Sequence, residues 1–157
     1  MRKLIVRALL GLPSSWLVAL AGRRPVVIEG RTLDPRLQFL AAMAKRQPSL
    51  ETLTPEGARH AAAEGLALLD GEPAHDVEIE DIVLPVAGGA ALRARSYKPR
   101  LPNRLVPTLV YLHMGGCVIG DLETCHTFCS QIALRSGCLV VSVDYRLAPE
   151  QIGRAHV

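Results

Sequence analysis

Tyr111-Leu112-His113-Met114-Gly115-Gly116-Cys117-Val118-Ile119-Gly120 is the stretch on which the reading of this 157-residue chain turns. It follows a short apolar run, Val106 to Leu112, and precedes a helix signal, the position at which a buried strand hands over to a helix. Two adjacent glycines there let the backbone turn tightly and aim its N–H groups outward, as holding an oxyanion requires. The plainer alternative is a Gly-Gly turn that joins strand to helix and binds no ligand.

The flanks of this turn predict a βαβ unit. Thr108-Leu109-Val110-Tyr111-Leu112 is apolar almost throughout, as expected of a strand with both faces covered. From Asp121 to Ser136 the spacing is helical, with Asp121 as N-cap, Glu123 in the first turn, Arg135 in the last and Gly137 as terminator. Leu122, Cys125, Cys129, Ile132 and Ala133 form the expected buried stripe. Cys138 to Val143 reads as a second buried strand, so strand, helix and strand make one right-handed crossover and a parallel sheet.

Upstream, Val77, Ile79, Ile82 and Leu84, a Gly88-Gly89 turn and the alternating run Leu92 to Tyr97 predict a β-hairpin with one face exposed. Pro99 and Pro102 carry the chain on to the Val106 run. Residues 1 to about 72 read as four helices: near Lys3 to Leu10, from Ser14 or Ser15 to Gly22, from Asp34-Pro35 to before Pro48, and from Thr54-Pro55 to Asp70-Gly71. Leu37, Leu40, Ala41 and Ala44 are the expected apolar face of the third, and Ala58, Ala61, Ala62, Gly65, Leu66 and Leu69 that of the fourth. His60 and His75 read as solvated or capping residues. The organisation is thus a helical N-terminal cap region over residues 1–76 and an α/β core over 77–150.

Composition narrows the class of protein. A chain 49% hydrophobic and 21% charged is that of a folded globular domain, and a net charge of +3 with 4% aromatics lacks the basic, aromatic-rich surface of a nucleic-acid binder. All four cysteines, Cys117, Cys125, Cys129 and Cys138, lie in the last third. That is not the spread of a disulfide scaffold, and it reads as reduced thiols in a cytoplasmic protein. Cys125 and Cys129 share a helix face beside His126, the sharper alternative being a metal site. His126 points about 100° away from Cys125, however, and no second cysteine pair has ligand spacing, so neither metal nor cofactor is expected.

At the N-terminus, Met1-Arg2-Lys3 and the apolar stretch to Ala21 resemble a signal peptide, but Arg7 and Pro13 interrupt it and Arg23-Arg24 follow. Export, and membrane contact by residues 1–22, are therefore the disfavoured alternatives to a cytoplasmic location.

The run His113-Met114-Gly115-Gly116 resembles the His-Gly-Gly-Gly loop of the hormone-sensitive-lipase-like esterases, within the α/β-hydrolase superfamily. Val140 to Glu150, ending Asp144-Tyr145-Arg146-Leu147-Ala148-Pro149-Glu150, resembles the strand-end signature of the same family. The resemblance is close over residues 77–150 and loose before them. It implies a partial α/β-hydrolase sheet, made of an antiparallel hairpin plus a parallel βαβ unit, preceded by cap helices. It also implies hydrolysis of small or medium acyl esters by a serine, with a histidine as base and an acid orienting it. Gly115 and Gly116 would supply oxyanion-hole N–H groups, and His113 would be a loop-positioning residue and not the base. Asp144 reads as a structural partner of Arg146 or nearby backbone, and Ala148-Pro149 as a rigid turn, cis being an option. Two departures alter the pocket: Met114 replaces the first glycine of the loop, and Cys117 stands where an aromatic residue is usual.

The nucleophile is missing. No Gly-x-Ser-x-Gly occurs, and Ser130, Ser136 and Ser142 lack flanking glycines. The last seven residues, Gln151 to Val157, break the family pattern and back-translate to codons containing the start of a common sequencing adapter, so they read as a non-biological tail. The expectation is an N-terminal esterase fragment that is inactive as written. Its rival is a non-catalytic binding or interaction protein that kept the sheet without the triad.

Overall fold

The computed structural model describes residues 2–85, 91–100 and 105–152. Its N-terminal part follows the capping signals. α1 (Arg2–Leu10) stops at Gly11 and α2 (Ser14–Leu20) follows Pro13. The Asp34 carboxylate accepts from the Arg36 and Leu37 N–H groups to cap α3 (Pro35–Ala44), and the Thr54 hydroxyl accepts from the Gly57 N–H to cap α4 (Pro55–Leu69). Between α2 and α3 lies a hairpin of β1 (Val27–Ile28) and β2 (Arg31–Thr32), and a 3-10 turn at Leu50–Thr52 precedes α4. Both elements are too short to leave a periodic signal.

Two expected helix faces are corrected. α3 buries Gln38 and Phe39, while Leu37 and Ala41 face outward. The Gln38 amide accepts from the Val26 N–H at 3.0 Å and donates to the Arg24 carbonyl at 2.8 Å, so satisfying the hairpin's backbone outweighs burying one more leucine. On α4 only Ala58 is fully buried, and Gly65, Leu66 and Leu69 are exposed. His60 and His75 are exposed as expected, His60 lying 3.5 Å from Glu64 one turn on.

The main sheet runs β3 (Val77–Pro85), β4 (Ala91–Pro99), β6 (Leu139–Val143), β5 (Thr108–Leu112) in spatial order. β4 pairs antiparallel with β3 and β6, and β5 pairs parallel with β6, so the hairpin and the crossover join as expected. The Gly88-Gly89 turn, Pro102 and tail residues 153–157 lie outside the described residues.

The crossover helix is α5 (His126–Ser136), ended by Gly137 at φ 70°. It begins one turn later than Asp121 predicts. Asp121 caps the preceding turn instead: its carboxylate accepts from the Thr124 N–H at 2.7 Å, and its own N–H donates to the Thr124 hydroxyl at 2.9 Å. The buried stripe is where the spacing put it, with Leu122, Cys125, Cys129 and Ala133 inside and Ile132 partly so.

Cross-strand partners share a face, so Tyr97, Val140 and Leu109 form one row beneath α5, and Arg95, Ser142 and Tyr111 the next. The first row, with Ala74, Val77, Cys125, Cys129 and Ala133, makes the core. All four cysteines are free, and burial pushes the Cys129 thiol up to about 11. His126 turns away from the cysteines: Arg95 Nη1 lies 3.2 Å from its Nδ1, as does the Tyr97 hydroxyl. Arg95 can only donate, so that nitrogen accepts. The same guanidinium pairs with Asp81 and, at 2.8 Å, with Glu123.

The opposite face of β5 differs from expectation. Val110 and Leu112 are 64% and 63% exposed, because α5 covers only the other side of this edge strand. An apolar run predicts burial of both faces only when elements exist to cover both.

Candidate active site

The loop after β5 is built around two glycines that tolerate no side chain. Gly115 sits at φ 135°, and a Cβ there would collide with the Ile119 carbonyl. Gly120, at φ 100°, packs its backbone against the His113 ring and the Met114 carbonyl. Between them the Val118 and Ile119 N–H groups both donate to the Gly115 carbonyl at 3.1 Å, folding residues 115–119 into a tight turn. Gly116 and Cys117 both lie at φ 60°, yet nothing stands within 4 Å of where a Gly116 Cβ would project.

Among the described residues, neither the Gly115 nor the Gly116 N–H donates to a protein acceptor. Both donors therefore remain for an external oxygen, in a turn whose shape is fixed by its own hydrogen bonds. Met114 is exposed beside them, and Cys117 is half-buried.

His113 is buried, its ring stacked on Tyr145 with centroids 4.2 Å apart and planes 17° apart. Its Nδ1 donates to the Met114 carbonyl at 3.1 Å, and the Tyr145 hydroxyl donates to the His113 carbonyl at 2.8 Å. Burial raises the Tyr145 phenol above its ordinary range, so it stays a donor. The Ala148 N–H donates to the Cys117 carbonyl at 2.8 Å, and the Ala148-Pro149 bond is cis. The two motifs are thus bonded to each other.

α4 supplies the remaining contact. Arg59 Nε donates to the Val118 carbonyl at 2.8 Å and Nη2 to the Ala148 carbonyl at 2.9 Å, while the fork grips Glu150. These bonds hold the Glu150 carboxyl down at about 2 and push the Arg59 guanidinium higher still. A cleft of about 280 Å³ opens here, lined by Arg59, Gly120, Asp121, Thr124, Asp144, Leu147, Glu150 and Gln151. The Asp144 N–H donates to the Arg93 carbonyl at 2.9 Å, tying the end of β6 to β4.

The serines are placed elsewhere. Ser130 is buried, donating to the Thr127 carbonyl and accepting from the Ala74 N–H; Ser136 donates to the Ile132 carbonyl. Ser142 is fully buried within β6. Ser96 bonds to the Glu80 carbonyl, and no serine among the described residues hydrogen-bonds to a histidine. Sequence reasoning singled out Gly115, Gly116 and His113 but not Arg59, which has no local motif. The signal for Gly120 was available, as a third glycine at the end of the same loop.

The sequence profile of a family described as having the α/β-hydrolase fold matches residues 109–155. A carboxylic ester hydrolase of Mycobacterium tuberculosis, LipN, is 30% identical over 97% of this chain and 40% of its own length. The ethyl acetate hydrolase of Pseudomonas putida is 35% identical over 64% of the chain and 32% of its own length. An ester hydrolase from the metagenome of Lake Arreo superposes with a TM-score of 0.62 at 36% identity, covering 71% of this chain and 35% of that one. The chain therefore spans about two fifths, or less, of the length of these relatives.

Proposed function

We propose that this chain, which belongs to the hormone-sensitive-lipase-like esterases of the α/β-hydrolase superfamily, carries the oxyanion-hole part of a serine carboxylesterase. The observation that carries the reading is the pair of unused N–H groups at Gly115 and Gly116, in a turn locked by Ile119 and directly following β5. When a nucleophile adds to an ester carbonyl, negative charge develops on its oxygen, and two preorganised donors stabilise that charge more than they stabilise the ground state. His113 acts as a positioning residue. Stacked on Tyr145 with Nδ1 spent on Met114, it is committed to shaping the loop.

The nucleophile, its base and its acid are assigned to polypeptide outside these 157 residues. Residues 77–150 are the core portion and 1–76 the cover that Arg59 fastens to it. Alone the chain is inactive as a serine esterase, since it holds no nucleophile to form the acyl-enzyme. The substrates are small or medium acyl esters: one relative is an ethyl acetate hydrolase, and exposed Met114 at the loop rim narrows the acyl side. Four free thiols support a reducing, cytoplasmic compartment.

The test is an intact gene encoding residues 1–150 followed by a Gly-x-Ser-x-Gly serine, expressed and assayed on a short-chain aryl ester. Turnover is expected there and absent from the 157-residue chain. Gly116→Trp in the intact enzyme keeps the N–H but crowds the space an oxyanion needs, and should lower kcat by roughly 10²–10³-fold, as much as losing one oxyanion donor would. Undiminished turnover in that variant overturns the assignment.

A further inference from the structure

We infer that Arg59 is a positioning residue for the oxyanion hole: from α4 it sets, through two linked peptide groups, the direction and donor strength of the Gly116 N–H. The inference rests on the esterase reading of that N–H and adds to it a side chain from the cap region.

A peptide unit is planar, its C=O and N–H pointing opposite ways, so holding the carbonyl of one residue aims the N–H of the next. The Gly116 N–H is therefore aimed by the Gly115 carbonyl. That carbonyl accepts from the Val118 and Ile119 N–H groups, both at 3.1 Å. Each of these donors is anchored in turn. The Ile119 N–H shares its plane with the Val118 carbonyl, to which Arg59 Nε donates at 2.8 Å. The Val118 N–H shares its plane with the Cys117 carbonyl, which accepts from the Ala148 N–H at 2.8 Å, and Arg59 Nη2 holds Ala148 in place through its carbonyl at 2.9 Å. One guanidinium thus stands behind both bonds that fix Gly115.

Charge adds to geometry. A cation hydrogen-bonded to a carbonyl polarises that peptide group, which makes the N–H at its other end a better donor, and chains of such bonds strengthen one another. From Arg59 through Val118–Ile119 to Gly115–Gly116 the polarity runs in one sense, and it ends at the N–H where an oxyanion would form. Glu150 takes Nη1 and shares Nη2, which leaves Nε to Val118.

The other donor is anchored separately. The Gly115 N–H shares its plane with the Met114 carbonyl, which accepts from His113 Nδ1 at 3.1 Å. The loop needs such holding, since Gly116 and Cys117 both stand at φ 60°, and left-handed backbone at a residue with a side chain persists only where its surroundings impose it.

The test uses the intact enzyme, labelled with 15N at glycine, and its Arg59→Ala and Thr54→Ala variants. Thr54 caps α4 through the Gly57 N–H and stands outside the relay, so its loss loosens the same helix without touching Val118 or Ala148. Arg59→Ala should lower kcat by roughly 10-fold at unchanged KM, less than the loss of a whole donor because the N–H itself remains. The Gly116 15N resonance, assigned by its absence in Gly116→Ala, should move upfield as the Gly115 carbonyl loses polarisation, while that of Gly115, set by His113, stays. Guanidinium ion should restore part of both losses, beyond any effect of sodium chloride at equal concentration. Thr54→Ala should lose stability and keep both kcat and the resonance. Unchanged kcat in Arg59→Ala, an unmoved Gly116 resonance, or an equal fall in Thr54→Ala would each overturn the proposal. An intact parent without esterase activity would overturn the esterase reading instead, and the Gly116 resonance would still decide the relay.

Discussion

Arg59 and Glu150, 91 residues apart, meet as a two-point fork, Nη1 on Oε1 at 2.8 Å and Nη2 on Oε2 at 2.7 Å. Because Nε and Nη2 also reach the Val118 and Ala148 carbonyls, one side chain of α4 fastens both loops that surround Gly115 and Gly116. The planar fork matters more than the charge here, since an ammonium cannot reach four oxygens spread across two loops.

Arg59→Lys should therefore behave more like Arg59→Ala than like the parent. The ion pair itself is largely solvated, with Arg59 and Glu150 side chains 28% and 47% exposed, so most of the loss comes from the two carbonyl bonds. A cost of about 1–2 kcal/mol for alanine is expected, with lysine recovering less than half. Denaturant midpoints measure the cost, and faster amide exchange at Val118 and Ile119 in both variants locates it.

Acid should loosen the same junction. Hydrogen bonding to Arg59 lowers the Glu150 carboxyl to about 2, from an ordinary 4.5. Its folded value is depressed, so the contribution is fully present above 4.5, declines as pH falls because the unfolded chain takes up the proton first, and is gone below about 2. Glu150→Gln removes this dependence. The stability difference between parent and variant should shrink steadily as urea midpoints are measured downward from pH 6, and a constant difference would contradict the linkage.

Two neighbouring glycines should respond differently to the same methyl group. At Gly115 a Cβ meets the Ile119 carbonyl, which is backbone and cannot swing away, so Gly115→Ala should cost about 3 kcal/mol or more and disrupt the turn. At Gly116 the space is open and only the left-handed backbone, φ 60°, is penalised, at roughly 1–2 kcal/mol. Thermal midpoints of the two single variants separate a steric glycine from a conformational one. In an intact enzyme Gly116→Ala should keep most activity, since its N–H remains.

Local grammar made much of this molecule legible. Asp34-Pro35 and Thr54-Pro55 announce helix starts because a cap needs only its own first turn, and Gly137 ends α5 for an equally local reason. The parallel crossover followed from chain length and handedness. What escaped was set by partners distant in sequence. Gln38 is buried because a hairpin too short to predict offers it two backbone groups, and Arg59 is a clamp because carbonyls 59 and 89 residues away converge on it. At the candidate site the glycines were readable as residues that turn, whereas the clamp behind them was not.

β5 supplies the last prediction, since its apolar run marks a strand but implies a burial of both faces that the structure does not have. Val110 and Leu112 lie on the face that α5 does not cover, and among the described residues β5 pairs with β6 alone, which leaves one row of backbone groups and two large apolar side chains available together. An edge of this kind templates pairing with another chain. The 157-residue chain should therefore self-associate, and Val110→Lys with Leu112→Lys should suppress the association without loss of helical circular dichroism, because neither side chain belongs to the core beneath α5. Light scattering against protein concentration decides it: equal scattering from parent and double variant would show that this strand is not the sticky edge.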